Sequence, residues 1–252
     1  MKNTAPNLEA LVFDVDGTLA DTEEVHRLAF NQSFKHFELN WFWSKSEYWA
    51  LLKISGGKER IKYYSLGLRE GNVVSNSLIN EIHNHKNLIY QSSLEEKKIK
   101  LRSGVSKLIA DLHKNRIKIG IATSSSFNNI NKLLTICMDK HWRDNFNEIE
   151  TSDSTPTKKP DPSVYKNIIS KLNVDPRCSI AIEDTPNGLR SASCAGLRTI
   201  VTVHEMTKNL DFPEAVLVVD SIGTPQKPFK LIEGASFGFD HVSVSLLSQL
   251  IK

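Results

Sequence analysis

The 252-residue chain has 32 basic and 29 acidic residues, a net charge of +3, 40% hydrophobic residues and 24% charged ones. This is the make-up of a soluble globular protein, long enough for one large domain or for a core domain carrying a smaller one. The near balance of charge excludes a basic nucleic-acid-binding stripe, and no uncharged apolar stretch is long enough to span a membrane.

The first nine residues lack the apolar run of a signal peptide, so neither secretion by that route nor membrane insertion is expected. The cysteines, Cys137, Cys178 and Cys194, are odd in number and have no metal-type spacing. Cys178 and Cys194 stand in apolar surroundings and are expected to be buried thiols. A reducing cytoplasm is the expected compartment.

In chain order, Leu11-Val12-Phe13 is a short apolar run ending at Asp14. Similar runs follow at residues 117–123, 179–183, 199–203 and 216–219, rich in β-branched residues and mostly uninterrupted, as in strands buried on both faces. Helical spacing appears between them: Val105, Leu108, Ile109 and Leu112, then Tyr165, Ile168, Ile169 and Leu172. Asp161-Pro162 reads as the cap and first-turn proline of the second helix. This alternation predicts an α/β fold, a doubly wound parallel sheet that binds ligands at the carboxyl ends of its strands.

Residues 21–96 break the alternation and show no strand. Asp21 and Glu24 read as a capping box, and helical apolar spacing follows. Trp41, Trp43 and Trp49 fall here and are expected to build a small helical core. The predicted organisation is a Rossmann-like core of residues 1–20 and 97–252, with a small α-helical cap domain of residues 21–96 inserted after the first strand.

Four segments carry candidate chemistry. Asp14-Val15-Asp16-Gly17-Thr18 puts two acids just past a strand, where they could bind Mg²⁺, a hard cation that prefers oxygen ligands. An EF-hand is excluded, because Leu19 and Val25 stand where its glycine and glutamate would be; a structural turn stays open for this pair alone. Thr123, with Ser124 after it, offers a hydroxyl for a phosphate oxygen or for a helix cap. Lys158-Lys159-Pro160 sets lysines beside a rigid turn. Glu183-Asp184 places adjacent acids at a strand tip, where they repel unless a cation shares them.

The order of these segments resembles the haloacid dehalogenase-like hydrolases over nearly the whole chain. The resemblance implies that Asp14 is a nucleophile, Asp16 its acid/base, Thr123 a phosphate ligand and Lys159 the family lysine. It implies Mg²⁺ as cofactor, held by Asp14, Asp184, the Asp16 position through its backbone carbonyl, and Glu183 in support. The insert stands where the family places its helical cap, with hinges expected near Ala20-Asp21 and at residues 95–101.

Substrate choice is expected from the insert. His26 is either a site residue or an ordinary packing histidine. Ser55-Gly56-Gly57-Lys58-Glu59-Arg60 lacks the spacing of a nucleotide P-loop. Gly56 and Gly57 would let backbone amides approach an anion, and Lys58 and Arg60 could contact a second phosphate; the alternative is a helix start with solvated charges. The run from Asp14 to Glu23, then His26-Arg27, the Trp41–Trp43 element and Gly56–Arg60 also resemble CbbY-type phosphatases. That resemblance implies removal of the 1-phosphate of xylulose 1,5-bisphosphate. The competing readings are a β-phosphoglucomutase, which returns the phosphoryl group to sugar, and a non-catalytic sugar-phosphate sensor. The expected partner is a small phosphorylated sugar, with no nucleic acid or membrane, and the chain is expected to be a monomer. Residues 210–252 are assigned no chemistry.

Overall fold

The computed structural model describes residues 7–67, 74–155 and 157–252. Residues 68–73 of the expected insert, and residues 1–6 of the N-terminal stretch, lie outside the described residues. Seven strands form one sheet: β1 (Ala10–Phe13), β2 (Lys118–Ala122), β3 (Glu148–Glu150), β4 (Ser179–Glu183), β5 (Arg198–Thr202), β6 (Leu217–Val219) and β7 (Leu231–Gly234). Their order is β3-β2-β1-β4-β5-β6-β7. All neighbours are parallel except β6 and β7, which are antiparallel with a register shift between Val218 and Val219.

The period of two along β1 divides the core. Leu11 and Phe13 face the side covered by α5 (Val105–Lys114), α6 (Phe127–Cys137) and α9 (Val244–Leu250). Ala10 and Val12 face α7 (Ser163–Leu172) and α8 (Pro186–Cys194), packing with Tyr165, Ile168 and Ala192. Helices on both faces make the sheet doubly wound.

From β1 the chain runs to β2 and β3 on one side, whereas β4, β5 and β6 continue on the other. That reversal leaves a crevice at the carboxyl ends of the strands. The register lines up those ends: Phe13 pairs with Ile121 of β2 and with Ile182 of β4, so the residues after all three strands emerge together.

Between β1 and α5 lie α1 (Glu23–His36), α2 (Lys45–Leu51), α3 (Gly57–Leu66) and α4 (Asn76–Lys97). They share an apolar cluster of Phe30, Phe34, Trp43, Tyr48, Ile61 and Ile82, with Trp41 and Trp49 packed against it. Trp43 is fully buried. Its backbone is clamped by Asn31, which accepts its N–H (2.8 Å) and donates to its carbonyl (2.9 Å). The segments that leave and re-enter the core touch through an isolated bridge between Ala20 and Leu101.

Several local expectations are corrected. Asp21 and Glu24 form no capping box: α1 starts at Glu23 with Thr22 in the cap position and no side-chain cap bond. Glu24 is taken by Arg27 (2.7 Å), and Asp21 pairs with Arg102 (3.3 Å). Pro162, not Asp161, holds the cap position of α7, although Asp161 still accepts the Ser163 N–H (2.9 Å). α4 extends to Lys97, into the segment expected to be the return hinge. Cys194 is exposed and Cys178 half-buried; the packing of α8 rests on Leu189 and Ala192 one turn earlier. No helix among the described residues is long and apolar enough to cross a membrane.

Candidate active site

The aligned strand ends open into a cavity of about 500 Å³ between the sheet edge and the inserted helices, and every site residue singled out from the sequence lines it. Asp14 follows β1 and is nearly buried. Lys159 reaches it from the loop before α7: its ammonium donates to Asp14 Oδ1 (2.6 Å), Glu183 Oε1 (2.6 Å) and the Ala122 carbonyl (2.9 Å). Burial opposes the lysine's charge, but the two carboxylates outweigh it and raise its pKa. Tyr165 also donates to Glu183 Oε1 (2.5 Å).

Asp14, Glu183 and Asp184 each place an oxygen within 4.8 Å of the others, all three buried. Burial pushes Asp14 well above the usual carboxylate range; Lys159 opposes this, and the charges of Glu183 and Asp184 add to it. One ammonium cannot neutralise three buried acids, and buried charge without a partner is costly. Among the described residues, Asp14 Oδ2 and Asp184 Oδ1 receive no hydrogen bond. An all-oxygen donor set with surplus negative charge fits Mg²⁺. The Asp16 side chain is not in this cluster; the expectation for that position concerns its backbone carbonyl alone.

Asp16 turns instead toward the inserted helices. Its Oδ1 accepts from Thr22 Oγ1 (2.6 Å) and Tyr90 (3.4 Å) and pairs with His26 Nε2 (3.1 Å), while Ser125 donates to Oδ2. Burial opposes its charge, but the imidazole and these hydrogen bonds outweigh it and hold Asp16 well below the usual carboxylate range. His26 Nδ1 meets the ammonium of Lys86 at 2.7 Å, and the His26 ring stacks on Tyr90 at 4.0 Å. Burial brings Lys86 down to about 7; burial and Lys86 together lower His26. An acceptor role for Nδ1 leaves the proton on Nε2, aimed at Asp16.

Gly17 makes this crowding possible. Its φ is +82°, and a β-carbon there would lie 2.2 Å from Asp184 Oδ2. Asp184 Oδ2 in turn pairs with His204 Nε2 at 3.0 Å. Burial opposes charge on His204, but the bond to Asp184 raises its pKa.

On the insert side, Gly56 and Gly57 open α3 toward the cavity, with exposed Lys58 beside them. Gly57 lies against His83: an added β-carbon would sit 2.5 Å from the ring nitrogen. Burial, with Lys86 and Lys58 nearby, lowers His83 to about 3 and keeps it neutral. Arg60 also lines the cavity, and its guanidinium donates to the carbonyls of Leu51 (3.1 Å) and Ile54 (3.1 Å) and to Tyr48 (3.0 Å), so it holds the loop there. Thr123 is buried and its Oγ1 accepts the Ser125 N–H (3.1 Å), so it fixes the loop as well as lining the cavity; half-buried Ser124 lines it beside Thr123.

Sequence reasoning missed Thr22, Lys86, Tyr90, Ser125, Tyr165 and His204. Ser125 and His204 carried a usable signal, since each follows an apolar run by a residue or two. Lys86 carried none: its partner His26 lies 60 residues away.

The family model described as haloacid dehalogenase-like hydrolase matches residues 11–202. Protein CbbY of Cereibacter sphaeroides is 39% identical over 214 residues, covering 85% of this chain and 92% of the relative. A variant of Rhodobacter sphaeroides CbbY, solved in complex with xylulose-(1,5)bisphosphate, superposes with a TM-score of 0.80 at 38% identity, over 85% of this chain and 94% of that one. A β-phosphoglucomutase from Clostridium difficile gives a TM-score of 0.70 at 26% identity, over 85% and 91%. With acids, lysine and hydroxyls gathered at the carboxyl edge of such a sheet, the chain belongs to the haloacid dehalogenase-like hydrolases, alongside the CbbY proteins.

Proposed function

We propose that the protein is a Mg²⁺-dependent phosphatase of small phosphorylated sugars that works through an aspartyl-phosphate on Asp14, and that a pentulose 1,5-bisphosphate is its substrate. The observation that carries this reading is the placement of Asp14. It is a buried carboxylate at the tip of β1, bonded to Lys159 at 2.6 Å, with Asp16 two residues on facing the same cavity. The xylulose bisphosphate bound by the CbbY relative supports the sugar class.

In this mechanism an Asp14 oxygen attacks phosphorus as the bond to the sugar oxygen breaks. Lys159 holds Asp14 in line and offsets charge on the phosphoryl oxygens, as do Thr123 and the backbone N–H groups of the β1 loop. Asp14, Asp184 and the Asp16 carbonyl would hold Mg²⁺, with Glu183 in support; bound there, it neutralises charge so that two anions can meet. Asp16 gives its proton to the leaving sugar oxygen and takes one from the water that cleaves the intermediate. The protein's own contacts favour the base form of Asp16. A phosphoryl dianion beside it favours the acid form, because like charge raises a carboxylate pKa.

Residues 21–96 act as a cap that excludes water in the first step and opens for the second. The complete acid and lysine set argues against a sensor. The test is phosphate release from xylulose 1,5-bisphosphate, phosphoglycolate and β-glucose 1-phosphate with and without Mg²⁺, using Asp14→Asn as the blank. Mg²⁺-dependent release strongest for the bisphosphate is expected. Conversion of β-glucose 1-phosphate to glucose 6-phosphate with little release would show a mutase, and comparable release from all three esters a general phosphatase. Near-wild-type release by Asp14→Asn would refute the nucleophile.

A further inference from the structure

His204 stands outside the cavity lining, so it is not positioned to touch substrate. It is nevertheless held through both its backbone and its ring. Just past β5, its backbone N–H donates to Thr207 Oγ1 (3.1 Å), and its carbonyl accepts from Thr207 (3.0 Å) and Lys208 (2.9 Å). The Met206 N–H lies 3.3 Å from Nδ1. A donor at Nδ1 puts the ring proton on Nε2, and protonating the ring would leave that hydrogen in place. Either way Nε2–H points at Asp184 Oδ2, 3.0 Å away, with side-chain exposures of 10% for His204 and 2% for Asp184. Gly17 closes over the pair: its β-carbon position is 3.0 Å from Nε2.

This bond decides which oxygen of Asp184 is available. Oδ2 is occupied by the imidazole, and Oδ1 carries no hydrogen bond among the described residues. Asp184 also sits among two other acids, from which an untethered carboxylate would turn away. Mg²⁺ demands near-ideal octahedral geometry, which a one-oxygen carboxylate in a fixed orientation suits.

We propose that His204 is a positioning residue for the metal site: through Nε2–H it fixes Asp184 so that a single oxygen is presented to a divalent cation. The proposal rests on reading Asp14 and Asp184 as metal ligands. Groups that orient ligands in this way set metal affinity by roughly 10–100-fold.

The test is Mn²⁺ binding to the full chain, followed by the electron paramagnetic resonance of the free ion, with Mg²⁺ as competitor. Wild type is expected to bind Mn²⁺ and release it to Mg²⁺. His204→Leu, which removes the donor, is expected to weaken binding by roughly 10–100-fold, while His204→Gln, whose amide can reach Asp184, restores it. Should the leucine variant not fold, His204→Asn, with an amide too short to reach, takes its place against the glutamine variant. Binding in the donor-free variant as tight as wild type, or equal losses with glutamine, would overturn the proposal and leave His204 a loop anchor. A wild-type protein that binds no Mn²⁺ fails before any His204 variant is made, and would refute the metal site itself.

Discussion

Lys86 shows a single residue set against stability by its function. Its folded pKa of about 7 lies below the ordinary 10.5, so between those values the unfolded chain binds more protons. Stability therefore rises with pH across that window, as the penalty on the buried charge is relieved. Lys86→Met should abolish that rise and stabilise the protein at pH 7, measured as urea midpoints at pH 7 and 9. The same variant should lower kcat about 100-fold, a typical acid–base contribution, because His26 loses the partner that sets its tautomer toward Asp16. Gly17 gives a second residue-scale outcome. Gly17→Ala meets both a positive φ and Asp184 Oδ2 at 2.2 Å. It should cost about 1 kcal/mol or more in thermal unfolding and lower Mg²⁺-supported phosphate release by displacing Asp184. The positions of Asp14, Asp16, Glu183 and Asp184 were legible because an acid directly after a buried apolar run must lie at a sheet edge. Lys86, Tyr90 and His204 were not, because their importance lies wholly in what they touch.

Among the elements, the inserted helices of the described residues depend on one aromatic centre. Trp43 packs on Phe30 and Phe34 with ring centroids 4.7 Å apart in both cases. Trp43→Ala should cost about 3–5 kcal/mol, and hydrogen exchange should rise first across α1 and α4 while β1, β2 and β4 stay protected. Two strands escaped the sequence reading for different reasons. β3 is only Glu-Ile-Glu, and its Glu150 is buried because Ser154 and Thr155 donate to it and Lys171 pairs with it. β7 is exposed along its length, so no burial period marks it.

At the scale of the whole molecule, hydrogen bonds tie the insert to the core around the cavity. On one side Asn129 of α6 accepts from Gln91 (2.9 Å) and donates to Asn87 (3.1 Å) of α4. On the other, Asn187 at the start of α8 donates to the Lys53 carbonyl (2.8 Å) and Ser55 Oγ (3.1 Å), holding the loop after α2 over the site. A net hydrogen bond is worth about 0.5–1.5 kcal/mol. Asn187→Ala should therefore favour the open form and raise KM by roughly 2–10-fold, with kcat falling less, as read from steady-state phosphate release.

The sequence by itself determined the layered α/β class, the helical interruption after the first strand and the acids at the strand tips. Each follows from hydrophobic period, which is local and repeats often enough to read. Only the tertiary structure decided that Asp16 faces the insert rather than the acid cluster, that Arg60 holds a loop, that Lys86 meets His26 and that His204 meets Asp184. Those outcomes depend on contacts across 10 to 60 residues of chain. The free energy of such a contact is set by burial and by which donors are already spent, and neither is visible until the chain has closed around them.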